Sequence, residues 1–149
     1  MTDFGTYALN ARVLNISKAV VMLQKMKFKF VLLGLYLLIR IAARRSKSFR
    51  AKLLEKNTVL VMKTKDEAVA VTLRCHQGNV RFQNGASADA VSTVIWKSAA
   101  TGAGVMLKTA RGDAKALVQA VISKDLVPQG NAGGVKWLLE VLKMLSEIY

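Results

Sequence analysis

The chain has 149 residues, enough for one domain with a hydrophobic core, and carries a formal net charge of +14. Hydrophobic residues make up 52% of it, and the mean hydropathy is +0.28. The basic balance predicts an anionic partner, and the hydrophobicity favours a membrane surface or an apolar ligand over nucleic acid. Cys75 is the only cysteine, which excludes an intramolecular disulfide and indicates a reducing compartment. His76 is the only histidine and CxxC or HExxH spacing is absent, so no metal site is expected.

The N-terminal third predicts helices. Residues 6–26 repeat apolar side chains at helical spacing, and the apolar run FVLLGLYLLI over residues 30–39 follows between Lys29 and Arg40. At 1.5 Å per residue that run covers about 15 Å of a hydrocarbon layer of about 30 Å, which is too short to span it. Three alternatives remain open for residues 28–43: a marginal span with snorkelling cations, a helix buried against the domain, or a helix lying in the membrane interface.

Cations surround this apolar run, and a strongly cationic helix continues to about Asn57. Cations beside large apolar groups are typical of a headgroup boundary, although an ordinary solvated face has the same composition. The cations that we expect at a membrane surface are Lys25, Lys27, Lys29, Arg40, Arg44, Arg45, Lys47 and Arg50. The N-terminus lacks the pattern of a secretory signal. We therefore expect a cytoplasmic protein peripherally associated with a membrane, with a single N-terminal anchor as the alternative.

After Asn57 the apolar period changes from helical spacing to alternation. Residues 58–64, 68–75, 80–83 and 89–97 indicate four strands joined by short turns, which predicts an antiparallel meander. Residues 98–104 are small and contain two glycines, so they predict a loop or a weak helix.

The end of the chain predicts a helix, a short strand and a closing helix. Asp113 can cap a helix that runs to Ser123. Pro128 cannot donate a hydrogen bond, so the strand over residues 126–129 belongs at a sheet edge. Residues 135–145 then form an amphipathic helix. These elements predict an α+β fold with an approximately five-stranded, mainly antiparallel sheet covered by helices and preceded by N-terminal helices.

This ending, LVPQGN followed by an apolar helix, is the most specific pattern in the chain. Together with NVRF at residues 79–82 and DAV at residues 89–91, it resembles the sterol carrier protein 2 family. The resemblance covers residues 46–149 and implies an SCP-2-like lipid-binding domain there, after a basic, apolar, membrane-associating helical segment at residues 1–45. The extra N-terminal segment and the small residues at 98–111 depart from the family pattern.

Members of that family hold acyl chains, sterols or other apolar lipids in a tunnel between the sheet and the helices. The resemblance implies a non-enzymatic lipid carrier or lipid-presenting protein, without cofactor or metal, for a sterol-like, fatty acyl or isoprenoid ligand. The lining that it implies comprises Val71, Leu73, Val94, Trp96, Leu117, Val121, Trp137, Leu138, Val141 and Leu142. The alternative is that the same side chains fill an ordinary core and leave no void.

Other functions have weaker support from the residues. A P-loop, GxGxxG, GxSxG or paired-carboxylate motif is absent, so an enzyme is not expected. Nucleic-acid motifs are also absent, so nucleic acid is not an expected partner. A membrane-anchored accessory factor or adaptor in isoprenoid quinone or lipid metabolism stays as the alternative, because a packed domain on a basic anchor has the same pattern. The identity of the lipid and the oligomeric state stay open.

Overall fold

A computed structural model describes residues 3–113, 115–131 and 133–148, with the backbone alone for residues 3–15 and 148. The described residues form helices and strands in the following order: α1 (Asp3–Arg45), α2 (Lys47–Leu54), β1 (Thr58–Thr64), β2 (Ala70–His76), β3 (Asn79–Asn84), β4 (Ser92–Trp96), α3 (Ala99–Ala110), α4 (Ala116–Ile122), β5 (Leu126–Gly130) and α5 (Gly133–Ile148).

The long helix α1 merges the two helical segments that the sequence predicts. It has 43 residues, about 65 Å at 1.5 Å per residue, and no proline interrupts it. Its second half buries one face against the rest of the protein, at alternating steps of four and three residues. The buried side chains are Phe28, Leu32, Leu35, Ile39 and Ala42. The hydrophobic core therefore extends back to Phe28, and the boundary expected at residue 46 stays a prediction.

Membrane spanning was one of the three alternatives for residues 28–43. In the described part of the chain no helix, α1 included, combines the length and the apolar character that crossing a bilayer requires.

Helices α2 and α3 begin at serine caps. Ser46 accepts the Phe49 N–H at 3.2 Å, and Ser98 accepts the Thr101 N–H at 3.1 Å. The prediction of a loop or weak helix over residues 98–104 is wrong, since α3 is a regular helix of 12 residues. Its small residues form the face that packs closely against α1, and the Ser98 hydroxyl accepts a backbone N–H of its first turn. The helix therefore keeps its length and regularity despite these residues.

The sheet has the order β3-β2-β1-β4-β5. β1 pairs antiparallel with β2 but parallel with β4, where Leu60 is opposite Ser92. The predicted meander is therefore wrong: the chain crosses from β3 over two strands before it forms β4. The physical reason lies in β1, which occupies the centre of the sheet, where both of its backbone edges find hydrogen-bonding partners, β2 and β4. Its residues Leu60, Val61 and Met62 are all buried there. The α+β class and the five-stranded, mainly antiparallel sheet are confirmed, and Pro128 lies on the edge strand β5.

The helices cover the sheet face from which Leu60, Leu73, Val94 and Trp96 project into the core. α5 reaches this face through the turn at residues 130–131. Asn131 accepts the Gly133 N–H at 2.8 Å through Oδ1, and its carbonyl accepts the Ser92 hydroxyl at 2.5 Å.

A close approach at Gly134 sets the distance between α5 and the sheet. A Cβ at this position would collide with the side chain of Ser92 on β4. The glycine pair after LVPQGN therefore brings the closing helix directly onto the sheet.

Candidate functional site

The ten residues predicted to line a tunnel come together in one hydrophobic core. Nine are buried, and Val121 is half-buried and packs against the others. The nine buried residues are Val71, Leu73, Val94, Trp96, Leu117, Trp137, Leu138, Val141 and Leu142. Their convergence follows from alternation in the strands and helical spacing in α5. Their role as ligand contacts stays a prediction.

Two polar groups of this core lack a hydrogen-bond partner within the residues that the structure describes. The indole N–H groups of Trp96 and Trp137 are buried and meet no acceptor among the described residues. A buried donor without a partner costs about 1–3 kcal/mol, so each indole is a donor available to a carbonyl or hydroxyl oxygen that enters the core.

An apolar groove of about 600 Å³ lies between α1, α3 and α5. Its volume lies within the usual range for small-molecule sites, and such sites usually have an apolar lining as well. Among the lining residues are Phe30, Gly34, Leu38, Met106, Leu107 and Leu142, and Lys27 contributes a charged group. Of these, the sequence-based lining predicted Leu142. The sequence analysis did not predict the other lining residues. Two features of the sequence point to them, namely Gly34 within the apolar run and the apolar patch at residues 105–107.

A stripe of exposed apolar side chains follows the outward face of α1. Phe30 is 65% exposed and Leu37 is 49% exposed. The members of this outer stripe are Met26, Phe30, Leu33, Leu37 and Ile41. Their steps of three and four residues place them along one side of the helix. A continuous exposed apolar surface of this kind is typical of interaction sites.

A second cavity, of about 730 Å³, lies on the opposite flank of α1 against α2 and β3. We call it the arginine cavity, because Arg40, Arg44, Arg50 and Arg81 line it together with Tyr36 and Phe82. Arg40 donates to the Tyr36 hydroxyl at 3.2 Å and lies 5.7 Å from the centre of that ring. The Tyr36 ring in turn lies 5.6 Å from the Phe82 ring, so the cavity has an aromatic wall.

The eight predicted membrane-surface cations separate into groups. Arg40, Arg44 and Arg50 enter the arginine cavity, whereas Lys27 borders the apolar groove and Lys25 lies beside Asp66 in a smaller cavity. Lys29, Arg45 and Lys47 line neither cavity nor groove. All eight side chains are exposed except that of Lys25, which is half-buried. Within the described ranges, His, Cys, Asp and Glu side chains form no group of three suited to a metal ion.

A five-stranded mixed sheet closed by a C-terminal helix, with its core on the helical face, is the fold of sterol carrier protein 2 domains. Among solved structures, the chain is similar to a UbiJ-SCP2 ubiquinone synthesis protein, with 24% identity and a TM-score of 0.58 over 81% of this chain and 94% of that one. It is also similar to sterol carrier protein 2 like 2 from Aedes aegypti, with 19% identity and a TM-score of 0.52 over 78% and 96%. Sterol carrier protein domain 2 of Helicoverpa armigera gives 12% identity and 0.53 over 76% and 86%.

These similarities confirm the fold that the C-terminal pattern implied. Each covers more of the chain than residues 46–149 contain, so part of α1 lies within the shared fold. A comparison with models of protein families finds no match. A comparison with curated proteins also finds no match.

Proposed function

We propose that this protein is a non-enzymatic lipid carrier or lipid-presenting protein that holds an apolar tail beside α1 while it rests on a membrane surface. The observation that carries the proposal is the apolar groove between α1, α3 and α5. Burial of a tail there is favourable by about 0.8 kcal/mol per CH₂ relative to water. A tail in a bilayer is already shielded from water, so a carrier must offer a site that is similarly apolar. The groove is such a site.

The groove opens where the protein would touch a membrane. Phe30, Leu37 and Ile41 belong both to the outer stripe and to the lining of the groove. Insertion of this stripe at the headgroup boundary would therefore place the mouth of the groove next to the acyl chains. Lys27, Lys29 and Arg40 flank the stripe and supply attraction to an anionic leaflet, worth about 1 kcal/mol per cation.

The predicted tunnel residues extend this proposal into the core. Leu142 lines the groove and also belongs to the core that contains Trp96 and Trp137. A ligand that moves past Leu142 would bring its polar atoms toward indole donors that meet no acceptor in the described part of the chain. This feature favours a lipid with a carbonyl or hydroxyl group over a plain hydrocarbon.

Filling the groove tests the proposal. A Cβ at Gly34 meets no atom within 4 Å, so a Gly34→Leu variant places its side chain in free space within the groove and retains the fold. Loss of contacts with about two CH₂ groups should weaken binding of a fluorescent fatty acid about tenfold. Gly104→Leu is the matched control, because this glycine is equally unobstructed but lies outside the groove lining. Equal affinity of both variants, or no uptake by the unmodified protein, would refute the proposal.

Membrane association is a separate arm of the same test. The full chain should sediment with phosphatidylcholine vesicles that contain phosphatidylglycerol as an anionic lipid, and should dissociate from them as salt rises, since the cationic contribution is screened. Binding that is independent of vesicle charge would remove the predicted role of the cations.

A membrane-associated accessory factor in isoprenoid quinone metabolism is a second candidate. Its support is the similarity to a protein described as a ubiquinone synthesis protein. Native mass spectrometry separates the candidates: a copurifying apolar lipid supports the carrier, and an isoprenoid quinone or its precursor would join the two.

A further inference from the structure

We propose that the arginine cavity binds a phosphate monoester, carried either by an anionic lipid headgroup or by a soluble phosphate ester. This site lies on the flank of α1 opposite the apolar groove, so it goes beyond tail binding and does not depend on it. Three of the predicted membrane-surface cations, Arg40, Arg44 and Arg50, would then bind one phosphate group instead of only attracting the membrane as a whole.

Three separate elements bring arginine side chains to the lining of this cavity. Arg40 and Arg44 are one helical turn apart on α1 and share a flank with Tyr36. Arg50 comes from α2 and Arg81 from the edge strand β3. Positions so distant in the chain meet only because α1 and α2 pack against β3, which makes the cluster a product of the fold and not of one charged run.

Among the described residues the cluster has no counter-charge. In the described part of the chain, no carboxylate lies within 4 Å of the four arginines, although Lys52, Lys63 and Arg74 all have ion-pair partners. Arg81 lies directly opposite Arg74 across the β2–β3 pair. Asp89 pairs with Arg74 at 2.6 Å, and Arg81 has no carboxylate partner among the described residues. Converging cations repel one another, and a bound anion would remove that repulsion.

The chemistry of the lining selects phosphate among anions. Each guanidinium presents a planar fork of donors that matches two phosphate oxygens, and such bonds are stronger than those between neutral groups. A monoester carries about −1.5 to −2 charges at pH 7 and three acceptor oxygens, which suits several arginines at once. The Tyr36 hydroxyl accepts from Arg40, so its own proton is available to a phosphate oxygen.

Vesicle binding by the full chain tests this site against a diffuse cationic surface. The test variant is Arg44→Gln with Arg50→Gln, which removes two cavity cations. The matched control is Arg45→Gln with Lys47→Gln, which removes two exposed neighbours that are not part of the cavity lining. Phosphatidylcholine vesicles contain either phosphatidic acid or enough oleate to give the same surface potential. Far-ultraviolet circular dichroism and thermal melts establish that each variant is folded.

The unmodified protein should prefer phosphatidic acid vesicles. The cavity variant should lose about tenfold or more in affinity for them and little extra on oleate vesicles, whereas the control should lose similar, small amounts on both. A further variant, Arg44→Lys with Arg50→Lys, keeps the charge but removes the forks, and should recover only part of the preference.

Calorimetric titration with inorganic phosphate and glycerol 3-phosphate distinguishes the two sources. If these bind the unmodified protein and not the cavity variant, while the vesicles show no preference for phosphatidic acid, the site takes a soluble phosphate ester. Equal losses in the cavity and control variants, without binding of either soluble phosphate, would overturn the proposal. Fatty acid uptake should be unchanged in the arginine variants, so failure here is distinguishable from failure of tail binding.

Discussion

The packing of α3 against α1 depends on Gly102, and we predict that Gly102→Ala destabilises the protein. A Cβ at this position would lie 2.6 Å from Cε2 and 2.8 Å from Cζ of Phe28. The Phe28 ring is fully buried and stands edge-on to Trp96, with ring centres 6.1 Å apart. The ring therefore has little room to retreat, and the two helices must separate instead.

The size of the effect follows from two opposing terms. Alanine is favoured over glycine in a helix by about 0.5–1 kcal/mol. Overpacking a filled core costs about 1–3 kcal/mol. Gly104 lies in the same helix, where a Cβ meets no atom within 4 Å, so Gly104→Ala should show only the favourable term. The two alanine variants should thus differ by about 1–3 kcal/mol, or by about 2–4 °C in melting temperature per kcal/mol for a chain of this size.

Urea denaturation followed by circular dichroism measures this difference. Combining Gly102→Ala with Phe28→Leu should recover part of the loss, because the smaller side chain leaves space for the new methyl group. If Gly102→Ala and Gly104→Ala stabilised the protein equally, the contact between α1 and α3 would be wrong. The positions of the groove and the arginine cavity would then also fail, because both are built on α1.

Two further predictions concern the sheet. Burial raises the pKa of the Cys75 thiol, whose Sγ donates to the Leu53 carbonyl at 3.5 Å. A chromogenic thiol reagent should therefore react slowly with Cys75 until urea unfolds the protein. Rapid reaction of the native chain would contradict this burial. Arg74, aided by the Ser87 hydroxyl, holds the pKa of Asp89 well below its usual range. The resulting stability is present above the ordinary pKa of about 3.9 and is lost progressively below it. Asp89→Asn should therefore flatten the fall in melting temperature between about pH 4 and pH 2, and parallel curves would argue against the ion pair.

Local periodicity predicted most elements, because alternation and helical spacing are properties of neighbouring residues. The strands, the amphipathic helix α5 and the edge position of Pro128 all follow in this way. Strand partners do not follow from it: β4 lies beside β1 because the second edge of a central strand needs a hydrogen-bonding partner, and no local pattern states which strand that is. α3 is a similar case, because its packing on α1 and its Ser98 cap outweigh the weak helix preference of its small residues.

The candidate sites divide in the same manner. The sequence by itself determined that residues 30–39 are apolar, that cations border them and that the chain ends in the pattern of a sterol carrier protein 2 fold. It did not determine how the apolar run divides, with Leu32 and Ile39 in the core and Phe30 and Leu37 outside. Only the tertiary structure decided that, because the direction of each side chain depends on which face of α1 packs against α3 and the sheet. The arginine cavity depends on the same packing, since Arg50 and Arg81 are neighbours in space and not in sequence.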